Sequence, residues 1–164
     1  MRILNSYMTR LIGLLLIPFL CITGSCRKSE SLTQFHSFPN NTWNRFEKQN
    51  FNFRIEDVSF PYDLKLILRH NDSYPFDNLY VHVVIEKPGG EERIMEYDFK
   101  VKDTDGQFLS RSTNGYDEIT FTLHTGLYFQ EEGNCRVEIE NLIPKIEIPG
   151  ILELGLCLQR SREE

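Results

Sequence analysis

The sequence has little of what several common classes of protein require. Four of its 164 residues are cysteine, too few for a disulfide scaffold, and its 18 basic residues are outnumbered by 24 acidic ones. The resulting net charge of -6 argues against the basic face of a nucleic-acid-binding protein. The long apolar run, residues 11–22, is shorter than the roughly 20 residues of a membrane-spanning helix. The remaining composition, with 40% hydrophobic and 26% charged residues, is typical of one folded globular domain.

The sequence also lacks the motifs of a catalytic or cofactor site. No two histidines share a metal-ligand spacing, and the patterns Gly-x-Ser-x-Gly and Cys-x-x-Cys are absent, as is a glycine-rich phosphate loop. We therefore predict that the protein is not an enzyme, and the residues indicate neither a cofactor nor a small-molecule ligand. The histidines, each interpreted as solvated or structural, are His36, His70, His82 and His124.

Residues 1–25 have the features of an export signal. Basic residues precede an apolar stretch that contains Pro18, and small residues follow it. Gly24 and Ser25 lie directly before Cys26, a pattern that resembles the lipobox of bacterial lipoproteins, in which a peptidase cuts before the cysteine and its thiol receives the lipid. We predict a lipoprotein signal peptide over 1–25 and a lipidated Cys26. A plain secretory signal and a single N-terminal anchor are the alternatives.

Residues 26–33 are polar and are predicted to form a lipidated tether to the folded domain. Burial of acyl CH₂ groups contributes about 0.8 kcal/mol each, and stable anchoring requires two chains or a second signal. The lipid therefore supplies the membrane affinity, and the domain needs no membrane-binding surface of its own.

From residue 34 onward the apolar residues recur with a period of two, which indicates β-strands rather than helices. Turn sequences such as Pro88-Gly89-Gly90 separate the strands, and residues 40–49 suit one short turn at most. The predicted strands, about eight in number, lie near 34–38, 51–55, 62–68, 79–85, 95–101, 119–123, 137–139 and 152–158.

This pattern predicts an all-β fold. The sequence shows neither a repeat of fixed period nor the alternation of strands and helices that a parallel sheet requires. We expect an antiparallel β-sandwich, jelly-roll-like in architecture, over residues 34–160, followed by a polar tail at 161–164.

Asp103 and Asp105 are the residues that most resemble a metal site. Two carboxylates before Gly106 are similar to the first half of a calcium loop, so both are weak candidate calcium ligands. An EF-hand loop that began at Asp103 would place Asn114 where a bidentate glutamate is required. A plain hairpin turn, with Asp and Gly in their preferred positions, explains the same residues and is the interpretation we favour.

Strand parity places Cys135 in the inward row of its strand and Cys157 in the outward row. Side chains that point in these directions are poorly placed for a disulfide, although an exported compartment permits one. A disulfide and a pair of free thiols, one buried and one partly exposed, both remain open.

The segment 61–81 is the most distinctive part of the chain. A strand that begins Tyr62-Asp63-Leu64 leads to an Arg69-His70-Asn71 turn, then to Tyr74-Pro75-Phe76 and to a strand that begins Asn78-Leu79-Tyr80. This order resembles the GldH family of gliding-motility lipoproteins from the Bacteroidetes. Further agreement, which extends the resemblance to about 43–158, comes from Trp43, the strand at 51–53, the turn at 103–109 and the C-terminal stretch 148–156.

The departures from the family pattern lie mainly in one loop. Phe108 replaces the usual tryptophan, and Ser110-Arg111-Ser112 stands where the family tends to carry glycines. The cysteines are not part of the pattern.

The resemblance implies a cell-envelope lipoprotein that is held in the membrane by its lipid and connected with gliding motility and, in many members, with type IX secretion. It implies other envelope, gliding or secretion proteins as partners, and it implies no catalytic residues. Residues 27–30 lack the acidic run associated with surface export in these bacteria, which favours a periplasm-facing position.

The aromatic residues of the motif allow two structural interpretations. They fill the edge of the sandwich, which we prefer, or they lie exposed together as a patch for a protein partner. The possible partner-binding residues are Tyr74, Phe76, Asn78 and Tyr80.

A carbohydrate-binding lipoprotein with a jelly-roll domain is the alternative function. Exposed aromatic rings beside polar side chains are typical of sugar sites, but the same rings are needed to fill a small sandwich. The rings of this alternative are Trp43, Tyr74, Phe76 and Tyr80, with Arg69, Asn71 and Asp77 near them in sequence.

Overall fold

The computed structural model describes residues 31–113 and 115–161, and in them the chain is almost entirely β. The predicted signal peptide at 1–25, the predicted lipidation site Cys26 and the end of the predicted tail at 162–164 lie outside the described residues. The strands are β1 (Ser31–Ser37), β2 (Thr42–Asn44), β3 (Gln49–Ile55), β4 (Tyr62–His70), β5 (Asn78–Glu86), β6 (Glu92–Lys100), β7 (Arg111–Thr113), β8 (Tyr116–Leu127), β9 (Gly133–Asn141), β10 (Glu147–Pro149) and β11 (Ile151–Arg160). A 3-10 turn at Pro39–Asn41 precedes β2.

The strands form two main antiparallel sheets. The first sheet has the order β1-β11-β4-β8-β7 and the second has the order β3-β9-β5-β6, while β10 and β2 pair separately. Without the three-residue strands β2, β7 and β10, the eight long strands follow the orders 1-8-3-6 and 2-7-4-5, which is the strand order of a jelly roll. The predicted all-β sandwich is confirmed, and each of the eight predicted strands corresponds to one long strand.

The first strand begins earlier than the sequence pattern predicts. β1 starts at Ser31, paired with Gln159 of β11, so the last residues of the predicted tether, 31–33, belong to the sheet. This end of the strand is polar and largely exposed, and an exposed edge strand has no apolar row from which its start can be recognised.

The core lies between the facing rows of the two sheets. Alternate residues are buried along β3, β4, β5 and β9, as the period of two requires. The inward residues of β6 and of part of β8, at one side of the sandwich, are only half-buried. The fully covered apolar residues with the largest side chains are Trp43, Tyr74, Phe53, Ile55, Leu64, Leu66, Leu68, Leu79, Ile85, Leu127, Ile139 and Ile148.

The two ends of the sandwich differ in character. The proximal end contains the start of β1 and the short connections at 56–61, 87–91 and 128–132. The distal end, where β1 finishes, carries the longer segments 38–48, 71–77, 101–113 and 142–150. None of the described segments forms an apolar helix of membrane-spanning length.

Candidate functional site

Tyr74 holds the β4–β5 connection in place from inside the protein. Its side chain is fully buried, and its hydroxyl donates a hydrogen bond of 2.9 Å to the carbonyl oxygen of Asn78. The ring meets Phe76 edge-on, with 5.7 Å between the ring centroids. Because burial disfavours the charged phenolate, the pKa of Tyr74 lies well above its ordinary value. Tyr74 therefore shapes the segment from inside, and it differs from Phe76, Asn78 and Tyr80, the other possible partner-binding residues, in that its side chain is fully buried.

The other three candidate partner-binding residues line one groove at the distal end. Phe76, Asn78 and Tyr80 form one wall, and 143–145 form the other, around a space of about 370 Å³. The backbone N–H of Leu142 donates a 2.9 Å hydrogen bond to the carbonyl oxygen of Tyr80, which fixes the two walls relative to each other. We call this space the distal groove.

The distal end carries exposed apolar side chains, and Tyr80 among them lines the distal groove. The side chain of Tyr80 is 42% exposed, that of Phe46 is 79% exposed and that of Ile146 is 76% exposed. Phe46 follows β2 in the chain and Ile146 precedes β10, and these two strands pair with each other. The backbone N–H of Arg45 donates to the carbonyl oxygen of Ile146 at 2.9 Å, so these segments are held together. Sequence reasoning missed Phe46 and the wall at 143–145. The signal that was available was the string Leu142-Ile143-Pro144-Lys145-Ile146, which is apolar except for Lys145 and lies outside any alternating strand pattern.

The aromatic platform of the carbohydrate-binding alternative is not formed. Trp43 and Tyr74 are both fully buried, and the indole N–H of Trp43 donates to the carbonyl oxygen of Glu47 at 2.8 Å. Asn71 uses its side-chain oxygen to accept the backbone N–H of Ser73 at 2.9 Å, which closes the turn. Rings that fill the core are not available for stacking against a sugar.

Arg69 lies on the outer face of the first sheet, where it organises a cluster of its own. Its guanidinium carbon lies 3.9 Å from the ring centroid of Phe35 and 4.7 Å from that of Tyr116. The same group forms ion pairs of 2.8 Å with Glu118 and 2.6 Å with Glu153. Hydrogen bonding from Arg69 lowers the pKa of Glu153. Arg69 thus contacts both carboxylates and both rings. Through these contacts it connects β4 with β1, β8 and β11.

Asp103 is engaged by its own hairpin turn. Its Oδ1 accepts hydrogen bonds from the backbone N–H groups of Asp105 at 2.9 Å and Gln107 at 2.8 Å, and Gly106 adopts a positive φ of 76°. The hairpin interpretation accounts for all three positions. Within residues 31–113 and 115–161, no group of three or more His, Cys, Asp or Glu side chains is placed to hold a metal ion.

His70 and the cysteines occupy sites that suit structural roles. His70 is fully buried, its ring lies 4.5 Å from that of Phe108, and burial lowers its pKa. Cys135 is buried and Cys157 is half-exposed on the outer face, and both are free, so strand parity predicted the two directions correctly.

Comparison with known proteins identifies the family. The chain is 28% identical over 172 aligned residues to the gliding motility lipoprotein GldH of Flavobacterium johnsoniae. The alignment covers 98% of this chain and 99% of that protein. It is 23% identical over 144 residues to a GldH homolog of Christiangramia forsetii, covering 84% and 88% respectively. Among solved structures, latent PorU of Porphyromonas gingivalis shares 7% identity at a TM-score of 0.39 over 81% of this chain and 13% of its own, too weak a likeness to carry an argument. The family model for the GldH lipoprotein matches residues 30–158, and the chain therefore belongs to the GldH lipoprotein family.

Proposed function

We propose that this protein is a non-enzymatic accessory component of gliding motility, anchored by a lipid at Cys26, which holds an envelope assembly together through protein contacts at the distal groove. The observation that carries the proposal is the position of Phe76, Asn78 and Tyr80. These residues of the family motif line an exposed groove at the end of the sandwich opposite the start of β1.

The distal groove has the composition of a protein-binding surface. Its lining includes the aromatic residues Phe76 and Tyr80 and the apolar residues Ile143 and Pro144, and Tyr and Phe are enriched in the centre of protein interfaces. Lys145 and Asp77 flank the groove with one charge of each sign, which suits a polar rim. The walls are fixed by backbone hydrogen bonds and by Tyr74 beneath them, so a partner meets a surface that is already ordered.

The direction of the chain supports contact at the distal end. Cys26 is separated from Ser31, at the proximal end, by a segment that spans at most about 17 Å when extended. A lipid at Cys26 therefore keeps the proximal end near the bilayer, and the seven residues of β1 run away from it towards the distal end. In this orientation, with the lipid in a leaflet that faces the periplasm, the distal groove is presented to proteins in that space.

The test of the distal groove uses two exposed tyrosines at opposite ends of the protein. A photocrosslinking phenylalanine derivative is placed at Tyr80, which is 42% exposed, or at Tyr128, which is 62% exposed and lies at the proximal end. In living cells we expect a discrete crosslinked envelope protein from position 80 and none from position 128. Equal crosslinking from both positions, or none from position 80, would contradict the proposal.

Function is measured with the matched variants Tyr80→Ala and Tyr128→Ala. We expect the first to reduce colony spreading at an unchanged level of protein, and the second to leave spreading intact. A glycan array probed with the full-length protein distinguishes the alternative, because sugar binding would contradict a role based on protein contacts alone.

The lipid anchor is tested separately. The protein extracted from membranes is expected to begin at Cys26 and to exceed its polypeptide mass by the mass of the acyl groups. Cys26→Ala is expected to abolish this excess. An unmodified, soluble mature form of the native sequence would refute the anchor and leave the distal groove untouched.

A further inference from the structure

Two strand edges lie unpaired at the same side of the sandwich. β6 pairs with β5 along all nine of its residues and, among the described strands, has no neighbour on its other side. β8 pairs with β7 only as far as Glu118, so its remaining residues have a free edge opposite β4. β6 contains neither a proline nor a shift of register, two features that commonly block such edges. Its free edge therefore offers backbone N–H and C=O groups to an added strand.

An apolar strip lies beside this edge. Tyr97 stacks on Phe99 and Phe99 stacks on Phe121 of β8, with ring centroids 5.1 and 4.4 Å apart. These three residues and Met95 are only half-buried, whereas Val81, Val83 and Ile85 in the inward row of β5 are fully buried. The Tyr97 hydroxyl donates to the backbone carbonyl of Leu123, which holds the strip against β8. The core is thus left partly uncovered along β6.

On the opposite side of the sandwich, a side chain links the two edge strands. There, the side chain of Gln34 in β1 donates to the backbone carbonyl of Asn52 in β3 and accepts the backbone N–H of the same residue at 3.3 Å. These two hydrogen bonds engage the backbone N–H and C=O groups of Asn52, so β3 cannot offer these groups to an added strand. The β6 side instead carries the stacked rings of Tyr97, Phe99 and Phe121.

The charges on β6 suit a basic strand better than a second copy of this chain, because a basic strand can meet all three acidic residues of the outward row. The outward row consists of Glu92, Ile94, Glu96, Asp98 and Lys100. Antiparallel pairing of β6 with itself preserves the faces and overlaps by seven residues or more in three registers. The full register places Glu96 opposite Glu96, with Glu92 opposite Lys100 at both ends, and the two shifted registers place Glu96 opposite Asp98 or Glu92 opposite Asp98. Like charges directly opposite each other destabilise a strand pair. A strand with basic residues at these positions pairs favourably.

We propose that the free edge of β6 accepts an extended segment of a partner protein in which basic and apolar residues alternate. The basic side chains face Glu96 and Asp98 on the outer side, and the apolar side chains cover the strip formed by Met95, Tyr97, Phe99 and Phe121. Main-chain hydrogen bonds supply affinity and the alternating side chains supply specificity, as in other cases of strand addition. This surface is separate from the distal groove and does not depend on it.

The probes are three synthetic peptides, and the protein is the full chain purified from membranes in detergent. The first peptide is Lys-Val-Lys-Val-Lys-Val-Lys, the second has Glu in place of each Lys, and the third has the central Val replaced by Pro. The first and third carry the same charge, but the third loses a backbone donor and the extended ladder. We expect the first to bind about tenfold more tightly than the third, and the acidic peptide to show no binding.

Matched variants and hydrogen exchange locate the bound peptide. Glu96→Lys is expected to weaken binding of the first peptide about fivefold, while Glu132→Lys, an equal change of charge at an exposed proximal position, leaves it unchanged. Backbone amides of 92–100 should gain protection from exchange. Equal binding of the two basic peptides, absence of binding, protection at 142–146 instead of β6, or self-association of the protein that Glu96→Lys abolishes would each overturn the proposal.

Discussion

Gly150 lies directly against the backbone of Tyr74. A Cβ atom on Gly150 would be 2.6 Å from the Cα of Tyr74 and 2.7 Å from the carbonyl carbon of Ser73, far inside van der Waals contact. The carbonyl oxygen of Gly150 also accepts the N–H of Asn71 at 2.9 Å, and its own N–H donates to Asn41 at 2.8 Å. The two sequence segments that carry most of the family resemblance, 61–81 and 148–156, therefore meet at this glycine.

Gly150→Ala is expected to destabilise the fold strongly. The substitution combines a positive φ of 84° with a clash against backbone that no side-chain rotation relieves, and we expect a loss of about 2–4 kcal/mol in the free energy of unfolding. Gly106→Ala is the matched control, because φ is 76° there and nothing lies within 4 Å of the added Cβ. Its loss should be about 1–2 kcal/mol in the same urea titration. Equal losses would contradict the close approach of Gly150 to Tyr74.

Arg69→Lys is expected to cost about 1–2 kcal/mol of stability, because an ammonium group replaces a planar fork that stacks between two rings and binds two carboxylates. Arg54→Lys is the control, since Arg54 is 70% exposed and its distance to Glu56 is 3.9 Å. That change should stay within about 0.5 kcal/mol. Thermal or urea unfolding of both variants gives the comparison, and a neutral Arg69→Lys would refute the role of the cluster.

Stability should depend on pH through His70. Burial lowers the pKa of His70 in the folded protein, so the unfolded chain binds a proton more readily. This contribution to stability is complete above an unfolded pKa of about 6.5 and is lost as the pH falls from there through the folded pKa. We expect His70→Phe to flatten the decrease in unfolding free energy below about pH 6.5.

The control for this measurement is His36→Phe, at an exposed position on β1. It should leave the slope of stability against pH unchanged, whatever its effect at neutral pH. A slope that persists in His70→Phe would show that another group is responsible.

The two cysteines of the folded domain should differ in reactivity. Burial raises the pKa of the Cys135 thiol to about 12, and only the thiolate attacks an alkylating reagent. Cys157 is half-exposed on the outer face. N-Ethylmaleimide followed by peptide mass spectrometry should find the adduct on Cys157 in the native protein and on both residues in denaturant. Rapid native labelling of Cys135 would contradict its burial.

The strand pattern was predictable because most long strands have one face in the core. Apolar residues at 62, 64, 66 and 68 are all buried, for example, so the alternation in the sequence is the alternation of burial. The strands β2, β7 and β10 have three residues each, too few to show a period. Their existence depends on pairing with distant segments, such as Ile148 with Trp43.

The site was predictable only in part. The motif identified Phe76, Asn78 and Tyr80 as neighbours in sequence, but the opposite wall at 143–145 lies much later in the chain and is brought beside them by the pairing of β9 with β5. Whether an aromatic residue of a loop is buried depends on what packs over it. Tyr74 and Tyr80 are both aromatic residues of the same motif. The backbone of Tyr74 packs against Gly150, whereas the side chain of Tyr80 projects from β5 into solvent.

The placement of β1 has a mechanical consequence. With the lipid at Cys26 and a partner on the distal groove, as proposed, tension between the membrane and the partner pulls Ser31 along the axis of its own strand. The seven residue pairs from Ser31–Gln159 to Ser37–Glu153 then bear the load together in shear, whereas a pull across the strand would open them one after another. The ion pairs and ring contacts of Arg69 with Phe35 and Glu153 add to the resistance at the far end of the same strand. In such a domain, tension between the membrane and the partner acts along β1 and does not separate β1 from β11 one residue pair at a time.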